Sequence, residues 1–312
     1  MKKRMNNASH IEGAVYQHSL ELKVSGPDAK NPGTEFISGS LEIATDNAGI
    51  NIVPVHFTYV TATFAKSGKT NETFNTLKNF ITGVYKTVMK DGADMATKVR
   101  IDSAIALNEF YTDRNGTEEL VSVKRNEGGF VHVVSALDED ENRRNTFDVD
   151  IVITKVRRIE GDPDKNTNDK VIVGGAIFDF RNNLLPVEFS VTHPGGMAYF
   201  EDLGASGANP VFTHIKGAQV SETIVRQIVE ESAFGDASIR EVKNTRKDFV
   251  ITWTATETYE WDSEDTITAA ELREAMANRE TALATLKQRN DAYKASKGQA
   301  PASAPAPGGF NF

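Results

Sequence analysis

Cysteine is absent from all 312 residues. That excludes disulfides, thiolate nucleophiles and Cys-ligated zinc together, and makes a reducing cytoplasm the expected setting. No apolar run approaches the roughly 20 residues of a membrane span, and the basic start MKKRMNNASH has no apolar stretch of signal-peptide length behind it. A soluble, non-exported chain with no membrane partner is expected. Positive charge is also in short supply, with 35 Lys and Arg against 44 Asp and Glu and a formal net charge of −9. The deficit is segregated. Glu257, Glu260, Asp262, Glu264, Asp265, Glu271 and Glu274 face only Arg273, and Asp138-Glu139-Asp140-Glu141 forms a second acidic run. With both set aside the remainder is close to neutral, so the total does not exclude an anionic partner.

Enzyme motifs are missing as well. AKSGKT, residues 65–70, ends like a phosphate-binding loop, but Thr63 stands where the first glycine belongs. The six histidines, His10, His18, His56, His132, His193 and His214, show no metal-ligand spacing, and no Ser lies in a GxSxG elbow. The chain is expected to be no enzyme and to need no cofactor or metal.

What is present is a repeat. NIVPVHFTYV, residues 51–60, returns as NLLPVEFSVT, residues 183–192. Strands are expected over Gly13 to Ser25, Phe36 to Asp46 and Asn51 to Phe64, with Pro54 marking an edge, a bulge or a strand end. Phe74, Leu77, Ile81, Val84 and Val88 fall at helical spacing, with Asn71 placed to cap and Gly92 to stop. Lys98 to Tyr111 is a long fourth strand, and ELVSVKRNEGGFVHVVSA supplies the return. Three strands, a helix, then a hairpin is the order of a five-stranded Greek-key OB barrel.

LDEDENRRN, residues 137–145, is a charged linker, after which the same order recurs. TFDVDIVITKVRR, KVIVGGAIFDF, NLLPVEFSVT, VFTHIKGAQVSETI and SIREVKNTRKDFVITWTAT match the five strands of the first half, with room for a short helix at HPGGMAYFEDLG. The expected fold is mainly β: two tandem OB barrels, residues 11–136 and 146–256, preceded by a flexible basic N-terminus at residues 1–10. An acidic segment and amphipathic helix follow at 257–297. Thr268 to Glu271 is a capping box with Ile267 and Leu272 as its staple, and Leu272, Met276, Leu283, Leu286 and Tyr293 form a stripe that needs a partner surface. The Pro/Ala/Gly tail from 298 to 312 is expected to be disordered, and its Phe310 and Phe312 suit docking to a partner.

Aromatics and cations interleave on the first barrel. Single-stranded nucleic acid is held by a basic groove and by aromatic faces, each stacked base worth about 1–3 kcal/mol. Phe57, Tyr59, Phe110 and Tyr111 are the candidate stacking residues. Lys66, Lys69, Lys98, Arg100, Lys124 and Arg125 are the candidate phosphate contacts. An aromatic on a barrel strand is core as often as platform, so each of these weighs against a packing role.

VHF at Val55 to Phe57, KDG at Lys90 to Gly92 and VRIDSAIALNEFYTDRNG at Val99 to Gly116 carry a resemblance. Over residues 11–136 the chain resembles the bacterial and bacteriophage single-stranded DNA-binding proteins of the OB-fold class. Val99, Ile101, Asp102 and Ile105 fill that family's fourth-strand pattern, and Tyr111 to Gly116 fills its aromatic-plus-turn ending, while Ser103 replaces the usual glycine. The resemblance implies stacking by Phe57 and Tyr111. It also implies recruitment of replication and recombination proteins through the C-terminal tail, although GGFNF shares only the terminal aromatic with the family's acidic tip. A dimer would bring together four barrels.

The leading expectation is a phage-type protein that coats single-stranded DNA during replication or recombination, with little sequence preference. Two other readings stand beside it: a structural or assembly protein using its barrels for protein contacts, and a mediator that anneals complementary strands. Of the two halves, the first keeps Tyr59 and His56 where the second has Val191 and Glu188, so DNA is expected on the first barrel.

Overall fold

The computed structural model describes residues 5–64, 66–114, 117–161, 168–230, 238–263 and 266–298, with the backbone alone for 221–230, 238–246 and 297–298. The first half contains β1 (Asn7–His18), β2 (Glu21–Val24), β3 (Glu35–Ala44), β4 (Ile52–Thr61), α1 (Glu72–Ile81), α2 (Val88–Asp91), β5 (Lys98–Arg114) and β6 (Thr117–Val133). β1, β3 and β4 form an antiparallel meander, β6 pairs parallel to β4 and antiparallel to β5, and β5 returns to β1. The sheet is therefore closed, with the strand order and single parallel pairing of an OB barrel.

The second half repeats this with β7 (Asn145–Ile159), β8 (Lys170–Phe178), β9 (Leu184–Val191), α3 (Pro194–Asp202), β10 (Val211–Glu230) and β11 (Ser238–Thr254). β7, β8 and β9 form the meander, β9 and β11 the parallel contact, and β10 closes onto β7. The two-barrel expectation holds. α4 (Ala269–Gly298) then lies against both barrels.

Alternation builds each core. Val53, Val55 and Phe57 point inward from β4 onto Ile37, Leu41 and Ile43 of β3, and α1 closes the barrel with Phe74, Leu77 and Phe80. Each such side chain contributes about 1.5–3 kcal/mol by leaving water. In the second barrel Phe147, Phe189 and Phe249 cluster at ring distances of 5.0, 5.8 and 6.3 Å. Asn71 caps α1 by accepting from the Thr73 amide, as expected. The helix is shorter than its apolar spacing suggested, because Gly83 takes a left-handed φ of 76° and ends it; Val84 lies outside, and Gly92 closes only the four-residue α2. Gly129, at φ 101° in the bulge where Gly128 and Gly129 of β6 oppose Ser103 alone, is needed for another reason: a Cβ there would sit 2.1 Å from the Asp102 carbonyl oxygen.

The N-terminus departs from expectation. Residues 7–10, read as flexible, begin β1 and pair with β7, from Asn7 opposite Val149 to Ile11 opposite Asn145, while from Ser9 onward the other side pairs with β5. Polar side chains make this possible. Asn7 Nδ2 donates to the carbonyls of Ile105 (2.9 Å) and Phe178 (3.0 Å), and its Oδ1 accepts from the Ile105 amide. Ser9 Oγ donates to Asn126 Oδ1 (2.9 Å) and accepts from Gln219 Nε2 (2.9 Å), while Asn126 Nδ2 donates to Gln219 Oε1 (2.7 Å). Asn145 and Asn51 donate to the Gln219 carbonyl. This buried network crosses from barrel to barrel, and the Ser9, Asn126 and Gln219 side chains satisfy one another as burial requires, whereas Asn145 Oδ1 has no partner among the described residues.

The charged linker is also structured. Glu141–Arg143 make one 3₁₀ turn, and the buried Arg144 donates to the Asp138 carbonyl (2.6 Å) and to Asn47 Oδ1 (2.8 Å). Parallel pairing to β6 is recorded from Val55 onward, so Pro54 precedes it by one residue, and its carbonyl accepts from Asn126.

Candidate nucleic-acid interface

The β5–β6 hairpin projects beyond the first barrel, and its register divides it into two faces, since opposed residues of an antiparallel pair share a side. Asn108 opposite Val123, Phe110 opposite Val121 and Thr112 opposite Glu119 share one face; Glu109 opposite Ser122, Tyr111 opposite Leu120 and Asp113 opposite Glu118 share the other. The second face is occupied. Arg279 of α4 forms a two-pronged pair with Glu109 (Nη1 to Oε2 3.2 Å, Nη2 to Oε1 2.5 Å), Lys294 reaches Asp113 (2.9 Å) and Glu118 (2.8 Å), and Lys287 pairs with Glu118 and lies 5.5 Å over the Tyr111 ring. Lysine hydrogen bonds, from Lys287 first and Lys294 second, hold the Glu118 carboxyl down at about 2.

The first face is open. Phe110 is 41% exposed and Val123 47%. It runs into a cleft of about 210 Å³ between the barrels, where Asn108, Val123 and Arg125 meet Lys247 and Val220 of the second barrel, with His56 and Pro54 of β4 alongside. Burial holds the His56 pKa below its ordinary value, and the nearby Arg125 and Lys247 add to this, against the pull of Glu127 and Glu42. A neutral imidazole can donate to or accept from a ligand without adding charge. Arg125 Nη2 is 2.8 Å from Glu127, which also accepts from Thr58 on β4. Beyond Thr58, Tyr59 is 47% exposed and packs on Phe36 of β3 at 4.5 Å, its hydroxyl 3.2 Å from Ser25. Lys66 and Lys69 are exposed in the loop that follows β4.

The structure thus redistributes the residues expected from sequence. Phe57 is core, 2% exposed, because it shares the inward parity of Val53 and Val55; it cannot stack on a base. Tyr111 lies on the face that α4 covers. Phe110 and Tyr59 remain available, joined by Phe36, which pattern reading passed over. Lys124 is no phosphate contact: its ammonium sits over the rings of Phe249 (4.2 Å) and Phe189 (4.4 Å) and donates to the Glu188 carbonyl, pinning the hairpin to the second barrel. Burial lowers its pKa to about 8, against the pull of Asp248 and Glu188. Lys98 and Arg100 are exposed at the opposite end of β5, Arg100 roughly 33 Å of extended strand from Phe110. Arg125 stays with the open face, and Lys247 joins it. Phe310 and Phe312 lie outside the described residues. In the second barrel Phe249 is buried while Trp253 is 48% exposed, with Lys216 5.3 Å over its ring. Among the described residues no group of three or more His, Asp or Glu is placed to hold a metal.

The strand order defines the class: a protein of two OB barrels fused through a continuous sheet. A family model described as YorF matches residues 6–289, and the chain belongs to that family. No curated protein matches it. Among solved structures it is similar to a deletion mutant of the single-stranded DNA binding protein from Thermus aquaticus, at 9% identity and a TM-score of 0.45, covering 84% of this chain and 98% of that one. The fold assignment rests on the pairing of the strands themselves.

Proposed function

We propose that this chain binds single-stranded DNA without an enzymatic step and with little sequence preference. The strand would run along the outer face of β4 and the open face of the β5–β6 hairpin. One observation carries the reading: the hairpin leaves Phe110, Val121 and Val123 on a face free of α4, and that face leads into a cleft bearing Arg125, Lys247 and His56. Tyr59 on Phe36 supplies a second aromatic platform along β4. Bases stack on the rings while the cations neutralise phosphates and release counterions, which makes affinity fall with salt. Coating of exposed strands during replication or recombination is the corresponding role, with the C-terminal Phe310 and Phe312 as the docking point for proteins that act there.

A fluorescently labelled oligo(dT), titrated at low and high salt with duplex competitor, tests this. Binding that weakens with salt and resists the duplex is the expected result. Lack of any shift at low salt would reject it in favour of a role in protein contacts.

A further inference from the structure

The covered face of the β5–β6 hairpin carries Glu109, Asp113 and Glu118, an unexpected set of charges to find behind a surface that meets a polyanion. All three carboxylates pair with one element, α4, through Arg279, Lys287 and Lys294. The partly buried line of the helix runs through Leu272, Ala275, Arg279, Leu283, Leu286 and Asn290, while Met276 (52%) and Tyr293 (58%) are largely exposed. In the distal half, ion pairs to the hairpin add to the contacts of Leu283 and Leu286. The two faces of a two-stranded ribbon are separated by roughly 10 Å, about one Debye length at 0.1 M salt. Carboxylates on one face are felt by phosphates on the other.

We propose that α4 supports DNA binding without touching DNA. Lys287 and Lys294, with Arg279, neutralise Glu109, Asp113 and Glu118, so that the strand on the opposite face is not repelled by these three carboxylates. These are positioning residues that act through Glu109, Asp113 and Glu118. The inference rests on the function proposed above. It makes the opposite prediction to a masking role for the helix, in which loss of its lysines would free Tyr111 and strengthen binding.

The test uses the full chain and labelled oligo(dT) read by fluorescence anisotropy. Lys287→Gln with Lys294→Gln should weaken binding about threefold at low salt, the loss shrinking at high salt as the Debye length shortens. Adding Asp113→Asn and Glu118→Gln to that variant should restore the wild-type Kd, since removing the carboxylates makes their counter-ions dispensable. A purely structural role for the lysines, or direct contact with phosphate, predicts no such rescue. Circular dichroism melts check folding, and Lys294→Gln alone, at an exposed site, repeats the comparison if the double variant melts early. Binding by the double variant equal to or tighter than wild type overturns the inference, as does failure of the rescue. Failure of the wild type to bind oligo(dT) is a separate result, and removes the functional reading together with this one.

Discussion

Replacing Lys124 by Met should stabilise the protein at neutral pH. The Lys124 ammonium lies over Phe249 and Phe189 between the barrels, where burial lowers its pKa from 10.5 to about 8. That drop is worth roughly 3 kcal/mol, at about 1.4 kcal/mol per pH unit. The cation–π contacts and the hydrogen bond to the Glu188 carbonyl return part of it, about 2 kcal/mol together. Met keeps the linear side chain over both rings and removes the charge. The variant should therefore gain about 1 kcal/mol at pH 7, as buried charges replaced by apolar groups often do. The pH dependence gives a second handle. Between about 8 and 10.5 the unfolded chain binds the Lys124 proton and the folded chain does not, so wild-type stability rises with pH through that window. The variant lacks this rise, and its advantage should vanish or reverse by pH 10.5. Urea unfolding of both proteins at pH 7, 9 and 10.5 measures the difference. A variant less stable than wild type at pH 7, with a gap that does not move with pH, would refute the account of Lys124 as a desolvated cation.

Phe110→Ala should lower affinity for oligo(dT) by roughly 1–2 kcal/mol, the worth of one stacked base, while Tyr111→Ala costs less than about 0.5 kcal/mol; fluorescence titration at fixed salt ranks the two, and the opposite order would place the strand on the α4 side. Gln219→Ala leaves Ser9 and Asn126 buried without their partner and should destabilise the chain by about 1–3 kcal/mol in denaturant unfolding. Gly129→Ala drives a Cβ against the Asp102 carbonyl at a left-handed φ, and a melting temperature unchanged from wild type would contradict the bulge geometry.

Period-2 alternation and turn residues were enough to read the barrels, because strands such as β4 bury one face, while β8, buried on both, reads as a continuous apolar run. The repeated Pro-Val-x-Phe stretch then gave the duplication. Alternation failed where polar side chains are interior. Asn7 and Ser9 look like solvent-facing residues, and they are satisfied jointly by Ile105 and Asn126 of the first barrel and by Phe178 and Gln219 of the second, all remote in sequence. At the site, the choice between Phe110 and Tyr111 depends on which face of a hairpin a distant helix covers. Adjacent strand residues point opposite ways, so one residue of register decides it. The parity of Phe57 with Val53 and Val55 was available in the sequence, and argues for core. Lys124 could not be read as a pin, since its aromatic partners belong to the other half of the chain.

The pairing of β1 with both β5 and β7 also sets an order on synthesis. When the first barrel leaves the ribosome, Ser9 to Ile11 have one edge satisfied by β5, and the other edge of residues 7–11 still waits for residues 145–149. Gln219, which completes the polar core around Ser9 and Asn126, arrives some seventy residues later. Until then the half-made chain presents an unpaired strand edge and polar groups without partners, the kind of surface on which nascent proteins misassemble. The seam that makes two barrels one body cannot close until most of the second barrel has been made.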